Sequence, residues 1–218
     1  MKNRSIAATL VLAGLLAGLS AGADTIFDNG APGASATVAD SNYYQELADD
    51  FVLLPDASTV TDVHWWGLYF DGNTPPAIDD FTIRIFSDAS GAPDTGFLHE
   101  IVVTDAHRTD TGLDLAGSDI YQYSADFSPL ALTAGTTYWI SIFNDSTTDD
   151  DDYWYWMFSD TTGNAYFRES DGGTWEMEDG EMAFTLTNDN LSAVPEPGTV
   201  TLLGLGLMAM VMRARRAL

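Results

Sequence analysis

Two short stretches of the chain carry aromatic side chains on both faces of what would be one strand. They are YWYWMF at 153–158 and HWWGLYF at 64–70. Because side chains alternate across a strand, one face of each stretch can fill a core while the other meets solvent. An exposed aromatic face can stack on sugar rings, which gives four candidate ligand-binding residues: Trp65, Tyr69, Trp154 and Trp156. The alternative is that these large rings only fill the space between two sheets.

A second candidate for chemistry is the acidic run NDSTTDDDD at 144–152. Clustered oxygen ligands on a loop suit a hard cation such as calcium, and Asp145, Asp149 and Asp151 are the candidate metal ligands. The run lacks the turn glycine and the final glutamate of an EF-hand loop. A solvated acidic loop is the other interpretation, because blocks of like charge are usually exposed. Calcium is therefore the one cofactor that the sequence suggests, and it stays an open alternative.

Hydrolysis is the third chemistry to consider. A glycosidase needs two carboxylates placed across a sugar. The glutamates nearest to predicted strands or aromatic residues are Glu100, Glu169, Glu176 and Glu178, but with so many acids their presence selects no pair. The chain has no G-x-S-x-G or H-E-x-x-H motif, and its three histidines, His64, His99 and His107, are scattered. We predict that the protein is not an enzyme, with a secreted carbohydrate-active hydrolase as the alternative.

Charge and cysteine content exclude several further classes. The chain has 33 acidic and 8 basic side chains and no cysteine. Away from the two ends only three basic residues remain, Arg84, Arg108 and Arg168. Nucleic acid is therefore excluded as a partner, because phosphate binding needs clustered basic residues. Without disulfides, stability must come from a packed core, and the 45% hydrophobic content is sufficient for one.

The N-terminal residues 1–23 have the pattern of a secretory signal peptide. Lys2 and Arg4 form the positive start, residues 6–19 are apolar, and the small residues Ala21 and Ala23 mark the cleavage site. Cleavage there would leave Asp24 as the first residue of the exported protein. The pattern predicts that the body is carried across the inner membrane.

The C-terminal residues 191–218 have three parts in a fixed order. Pro195, Glu196 and Pro197 close off the preceding fold, residues 200–212 are apolar, and three arginines follow, Arg213, Arg215 and Arg216. The apolar run is shorter than the roughly 20 residues of a full membrane span, so it predicts a short transmembrane helix. This end resembles the PEP-CTERM sorting signal of exopolysaccharide-producing Gram-negative bacteria. The resemblance implies an exosortase as partner, anchoring in the inner membrane before processing, and then the cell surface or extracellular matrix.

The body, residues 24–190, shows brief β-branched and aromatic runs separated by turn residues, and no long helix. This pattern is typical of an all-β fold. The predicted strands are 48–53, 60–70, 81–87, 99–104, 120–127, 137–143, 153–159, 165–168 and 183–187. The strings ADDF at 48–51, IRIFSDASGAP at 83–93 and LTAGTTYWISI at 132–142 resemble secreted bacterial modules with a jelly-roll-like antiparallel β-sandwich.

Taken together, these patterns predict an exported, exosortase-sorted protein of the cell surface or extracellular matrix. Its body is expected to be a non-catalytic β-sandwich that binds carbohydrate, with polysaccharide as the partner. A calcium-dependent adhesive or structural module is the remaining alternative.

Overall fold

The computed structural model describes residues 24–70, 75–104, 106–146 and 153–188, and this part of the chain is all-β. A single turn of 3-10 helix, Ser41–Tyr43, accompanies thirteen strands. The strands are β1 Asp24–Asp28, β2 Pro32–Val38, β3 Glu46–Val52, β4 Thr59–Tyr69, β5 Phe81–Asp88, β6 Pro93–Val103, β7 His107–Leu115, β8 Ser118–Ala131, β9 Thr137–Asn144, β10 Trp154–Ser159, β11 Asn164–Arg168, β12 Glu176–Asp179 and β13 Phe184–Asn188.

The strands form two antiparallel sheets. In sheet A, β8 pairs with one edge of the long strand β4, and β7 pairs with β8. The other edge of β4 is shared by β13 and then β10, which carry β1 and β2 on their far sides. Sheet B has the order β12-β11-β3-β9-β5-β6. The two sheets pack face to face, as predicted for the body.

The core lies between the sheets and is rich in aromatic rings. Phe81 of sheet B contacts Trp65, Tyr123 and Trp154 of sheet A edge-on, with ring centroids 5.0 Å apart in each pair. Edge-to-face pairs add to the burial of apolar area, which is the main source of stability in a chain without disulfides. On β5 the side chains alternate, and Phe81, Ile83 and Ile85 all point into this core.

All nine predicted strands are present, and four further strands were not predicted: β1, β2, β7 and β12. β2 is built from small residues, β12 is the acidic sequence EMED, and β7 is interrupted by a bulge near Gly112. Such segments lack the β-branched and aromatic residues by which a strand is recognised. They form because a neighbouring strand offers its hydrogen-bonding edge.

Several predictions fall on residues outside the described ranges. They are the signal peptide with Ala21 and Ala23, the Pro195-Glu196-Pro197 motif, the apolar run, and Arg213, Arg215 and Arg216. Among the described residues, no helix has the length and apolar character to span a membrane.

Candidate ligand-binding pocket

The predicted aromatic platform is wrong for the residues that we chose. Trp65, Tyr69, Trp154 and Trp156 point between the sheets and are at most 2% exposed. A ring buried in this way cannot stack on a sugar from outside. The opposite faces of the same strands carry Trp66, Phe70 and Tyr155, which lie half-buried around Leu68 and Met157 on the outer face of sheet A.

Close packing explains why these rings stay inside. The indole of Trp154 lies flat against the backbone of Gly67, and a Cβ at that glycine would stand 2.2 Å from the ring atom Cζ2. Tyr69 is fixed by its hydroxyl, which donates to Asp79 Oδ1 at 2.7 Å and accepts from Asn144 Nδ2 at 2.9 Å. Burial and the nearby carboxylate raise the pKa of Tyr69 well above its ordinary value, so the hydroxyl keeps its proton. These residues are structural.

The predicted calcium ligands are only partly described. Asp145 is exposed and accepts a hydrogen bond from Ser41 Oγ at 3.0 Å, whereas Asp149 and Asp151 lie outside the described residues. Calcium at the acidic run therefore stays a prediction. The structure instead brings together three carboxylates that the sequence analysis did not combine, those of Asp49, Asp50 and Glu181, with one oxygen of each within 4.8 Å of the others.

Asp49 is the buried member of this carboxylate cluster. Its Oδ2 accepts from Asn29 Nδ2 at 2.9 Å and from the backbone N–H of Met182. Asn29 also donates to Glu181 Oε2 at 3.0 Å, so one amide holds both carboxylates. Burial, followed by the charge of Glu181, raises the pKa of Asp49 well above its ordinary value. Two carboxylates this close can share a proton or bind a cation. Sharing a proton requires no bound ion.

A cavity with both polar and aromatic walls lies on the outer face of sheet B. Its volume is about 260 Å³. Its floor is formed by Arg168 of β11, Glu46 of the adjacent strand β3 and Arg84 of β5, which is separated from β3 by β9. Phe143 of β9 adds an aromatic wall. The rim comes from the segment around the 3-10 helix and from the turn after β11: Ser41, Tyr44, Gln45, Glu169, Ser170 and Asp171.

A network of charges holds the floor of this pocket. Glu46 Oε2 accepts from Arg84 Nη1 at 3.1 Å and from Arg168 Nε at 2.7 Å, while Glu46 Oε1 accepts from Ser141 Oγ at 2.9 Å. Arg84 also donates to Glu100 and to Asp171. The carboxylates are thus held in fixed orientations by charged donors, which make stronger hydrogen bonds than neutral ones.

Aromatic rings cover the flat faces of both guanidinium groups. The Arg84 guanidinium lies 4.9 Å from the ring centroid of Phe97 and 5.1 Å from that of Phe143. Arg168 lies 4.5 Å from the ring of Trp175. Such stacking fixes the guanidinium planes and keeps water from them. Two of the three arginines of the body therefore line this one pocket. Because basic residues are so rare in the body, these arginines were a signal in the sequence that could have pointed to the site.

Tyr44 stands at the rim in an unusual backbone conformation. Its φ is 58°, in the left-handed region that glycine favours, and its side chain is 75% exposed. The segment is anchored by buried Asp40, whose carboxylate accepts from Asn42 N, Ser146 Oγ and Trp154 N. Strained residues of this kind concentrate at functional sites. The fold thus holds a large aromatic ring in solvent beside a pocket.

The glutamates and histidines considered for catalysis are dispersed. Glu169 lines the pocket, Glu100 pairs with Arg84, and Glu176 and Glu178 lie on the edge strand β12. The three histidines are equally separate: His64 contacts Asp62, His99 lies on β6, and His107 begins β7. The absence of catalysis stays a prediction.

Comparisons with known proteins cover the body and the C-terminal signal separately. The model of the family described as Domain of unknown function (DUF7901) matches residues 27–192. The chain belongs to this family. The PEP-CTERM protein-sorting motif matches residues 193–216, directly after the DUF7901 domain. Searches of curated proteins and of solved structures found no match.

The motif match confirms the predicted PEP-CTERM signal. It identifies the chain as a secreted protein that an exosortase processes and that is destined for the cell surface. The DUF7901 domain is therefore the part of the protein that is delivered outside the cell.

Proposed function

We propose that the DUF7901 domain of this exosortase-sorted protein binds a neutral polysaccharide through the pocket on the outer face of sheet B. The observation that carries the proposal is the combination of an exposed ring, Tyr44, with oriented carboxylates, Glu46 and Asp171, around one cavity. A sugar presents an apolar C–H face and a rim of hydroxyls. In the pocket, the ring of Tyr44 can stack on the C–H face and the carboxylates can accept hydrogen bonds from the hydroxyls.

The size of the pocket fits one ring of a longer chain. At about 260 Å³ it is smaller than the roughly 300–1,000 Å³ of pockets that enclose whole drug-sized ligands. One sugar unit can enter while its neighbours extend along the open face of the sheet. The arginine donors are already engaged by protein acceptors. The carboxylate of Glu169 and the remaining lone pairs of Asp171, whose side chain is 71% exposed, are left to accept hydrogen bonds from sugar hydroxyls.

Charge selects against acidic polymers. The pocket is lined by three carboxylates, Glu46, Glu169 and Asp171, and by two arginines. The whole chain has a formal net charge of −25. A sulfated or uronate-rich chain would be repelled, most strongly at low salt. Neutral glycans are therefore the expected ligands.

The test compares two adjacent tyrosines. Tyr44→Gly removes the ring from the pocket rim and also relieves the positive φ, so the variant should melt at a higher temperature than the wild type. Its affinity for a neutral polysaccharide, measured by affinity electrophoresis or calorimetry, should fall about fivefold, because a stacked ring contributes about 1 kcal/mol.

Tyr43→Ala is the matched control. Tyr43 is 51% exposed, lies outside the pocket lining, and contacts Tyr153 edge-on with centroids 5.3 Å apart. Its loss should leave the affinity unchanged. Equal affinities of Tyr44→Gly and wild type would show that the pocket is not the binding site, and stronger binding of an acidic polymer than of a neutral one would contradict the charge argument.

A further inference from the structure

The two edges of sheet B differ in how well they are protected against pairing. Within the described residues, β12 at one edge pairs only with β11, and β6 at the other edge pairs only with β5. β12 is four residues long and carries three carboxylates in its sequence EMED. Short, charged edges of this kind resist pairing with another chain.

β6 has none of that protection along most of its length. It spans eleven residues, has no lysine, and has no proline after Pro93. Three of its large apolar side chains are exposed, those of Phe97, Leu98 and Val102. The register with β5 shifts near Phe97, so the regular part of the edge is His99–Val103. This segment offers an ordered row of backbone donors and acceptors to a partner strand.

Charge identifies a second copy of the chain as the partner. Most of the surface of this acidic protein repels another copy, but the segment 99–103 contains one carboxylate, Glu100, and Arg84 lies 2.8 Å from it. The edge is therefore a nearly neutral site on a negatively charged body. Two copies can approach each other there without setting carboxylate against carboxylate.

We propose that two copies pair antiparallel through residues 99–103, so that sheet B continues across a two-fold axis at Ile101. In this register Ile101 faces its counterpart, and Glu100 of one copy faces Val102 of the other. The axis is perpendicular to the sheet, so both outer faces stay on the same side. The dimer would then present two of the pockets described above on one continuous surface and bind a repeating polymer with avidity.

Sedimentation velocity of the exported and processed protein over a concentration series tests the pairing. The wild type should dimerise, more strongly at high salt because salt screens the remaining repulsion. Val102→Glu should weaken the dimer at least about tenfold, since the new carboxylate would face Glu100 of the other copy and like charges directly opposite each other are destabilising. Met177→Glu is the control: Met177 is 58% exposed on the other edge, and its substitution should leave the dimer intact. A wild type that stays monomeric, or two variants that weaken the dimer equally, would overturn the proposal.

The register can be tested separately, because the chain has no cysteine of its own. Directly opposed residues of an antiparallel pair have Cα atoms about 4.5–5.5 Å apart, within the range of a disulfide. Under mild oxidation Ile101→Cys should form a covalent dimer, whereas Val102→Cys and Met177→Cys should not. Equal cross-linking of all three variants would overturn the register. Dimerisation of a Tyr44→Gly protein that no longer binds glycan would support the pairing, because the edge would then act independently of the pocket.

Discussion

Glu46 and Asp49 are buried carboxylates three residues apart on one strand, β3, yet the fold treats them in opposite ways. Glu46 faces outward from sheet B and contacts two arginines. Asp49 faces the other side of the strand, where it lies beside another carboxylate, that of Glu181. The comparison shows two solutions to the burial of a charge: one carboxylate is paired with cations, and the other is pushed towards its neutral form.

The two solutions respond differently to pH. Burial and Glu181 raise the pKa of Asp49 well above the ordinary 3.8 of an unfolded chain, so the folded state holds this proton to higher pH. The contribution of Asp49 to stability is therefore fully present below about pH 4 and is lost as the pH rises through the raised pKa. The pKa of Asp50 is also raised, first by burial and then by Glu181, and adds to the same trend.

Substitution of an arginine that contacts Glu46 should change the free energy of unfolding most. Arg168→Leu leaves Glu46 with one arginine and removes the stacking on Trp175, so the free energy of unfolding should fall by about 3–5 kcal/mol. Urea denaturation at neutral pH measures it. The double variant Glu46→Met/Arg168→Leu should recover part of the loss, because it removes one of the buried carboxylates that Arg168 neutralises. A single variant within 1 kcal/mol of the wild type would mean that the network is not needed for folding.

Neutralising Asp49 should change the free energy of unfolding by less, and should increase it. Asp49→Asn removes a charge that the folded state disfavours, so at pH 8 the protein should gain about 1 kcal/mol of stability. Near pH 4 the gain should disappear, and the decline in stability between these two pH values should be shallower than in the wild type. Unfolding curves over this range are the measurement. A variant that loses stability at pH 8 would show that Asp49 is stabilised as the anion.

Substitution of Glu181, which lies beside Asp49, should have the smallest effect on stability. Glu181→Gln keeps a side chain that can accept the hydrogen bond from Asn29 but removes the charge that raises the pKa of both aspartates. The decline of stability with pH should become slightly shallower, by a few tenths of a kcal/mol. Asp160→Asn, which changes an exposed carboxylate outside the cluster of Asp49, Asp50 and Glu181, serves as the reference. If the stability of Glu181→Gln and that of Asp160→Asn depend on pH in the same way, the carboxylates of Asp49 and Glu181 do not interact.

The sequence was sufficient to predict nine of the thirteen described strands but not the faces that they present. On β4 and β10 aromatic residues occupy both faces, so the alternation could not show which face lies inside. A shift of one residue exchanges the faces, and the choice is made by packing across the two sheets, including the contact between Trp154 and Gly67. The platform prediction failed for this reason.

The pocket could not be found from local sequence either. Glu46 meets Arg84 and Arg168 from 38 and 122 residues away, and these partners come together only through the strand order of sheet B. The PEP-CTERM signal is the opposite case, because its three parts are contiguous and are recognised as a linear pattern. Linear signals can be predicted from a sequence, whereas assembled sites need the topology.

The pairing of β1 with β13 places Asp24 opposite Asn188, so the described body begins and ends at the same corner. The sorting motif starts at residue 193, and a chain extends at most about 3.6 Å per residue, so its first residue lies within about 20 Å of Asn188. A fluorophore joined at Asp24 would therefore report on the surroundings of the sorting motif. Processing of the sorting motif by an exosortase therefore takes place close to one corner of the body.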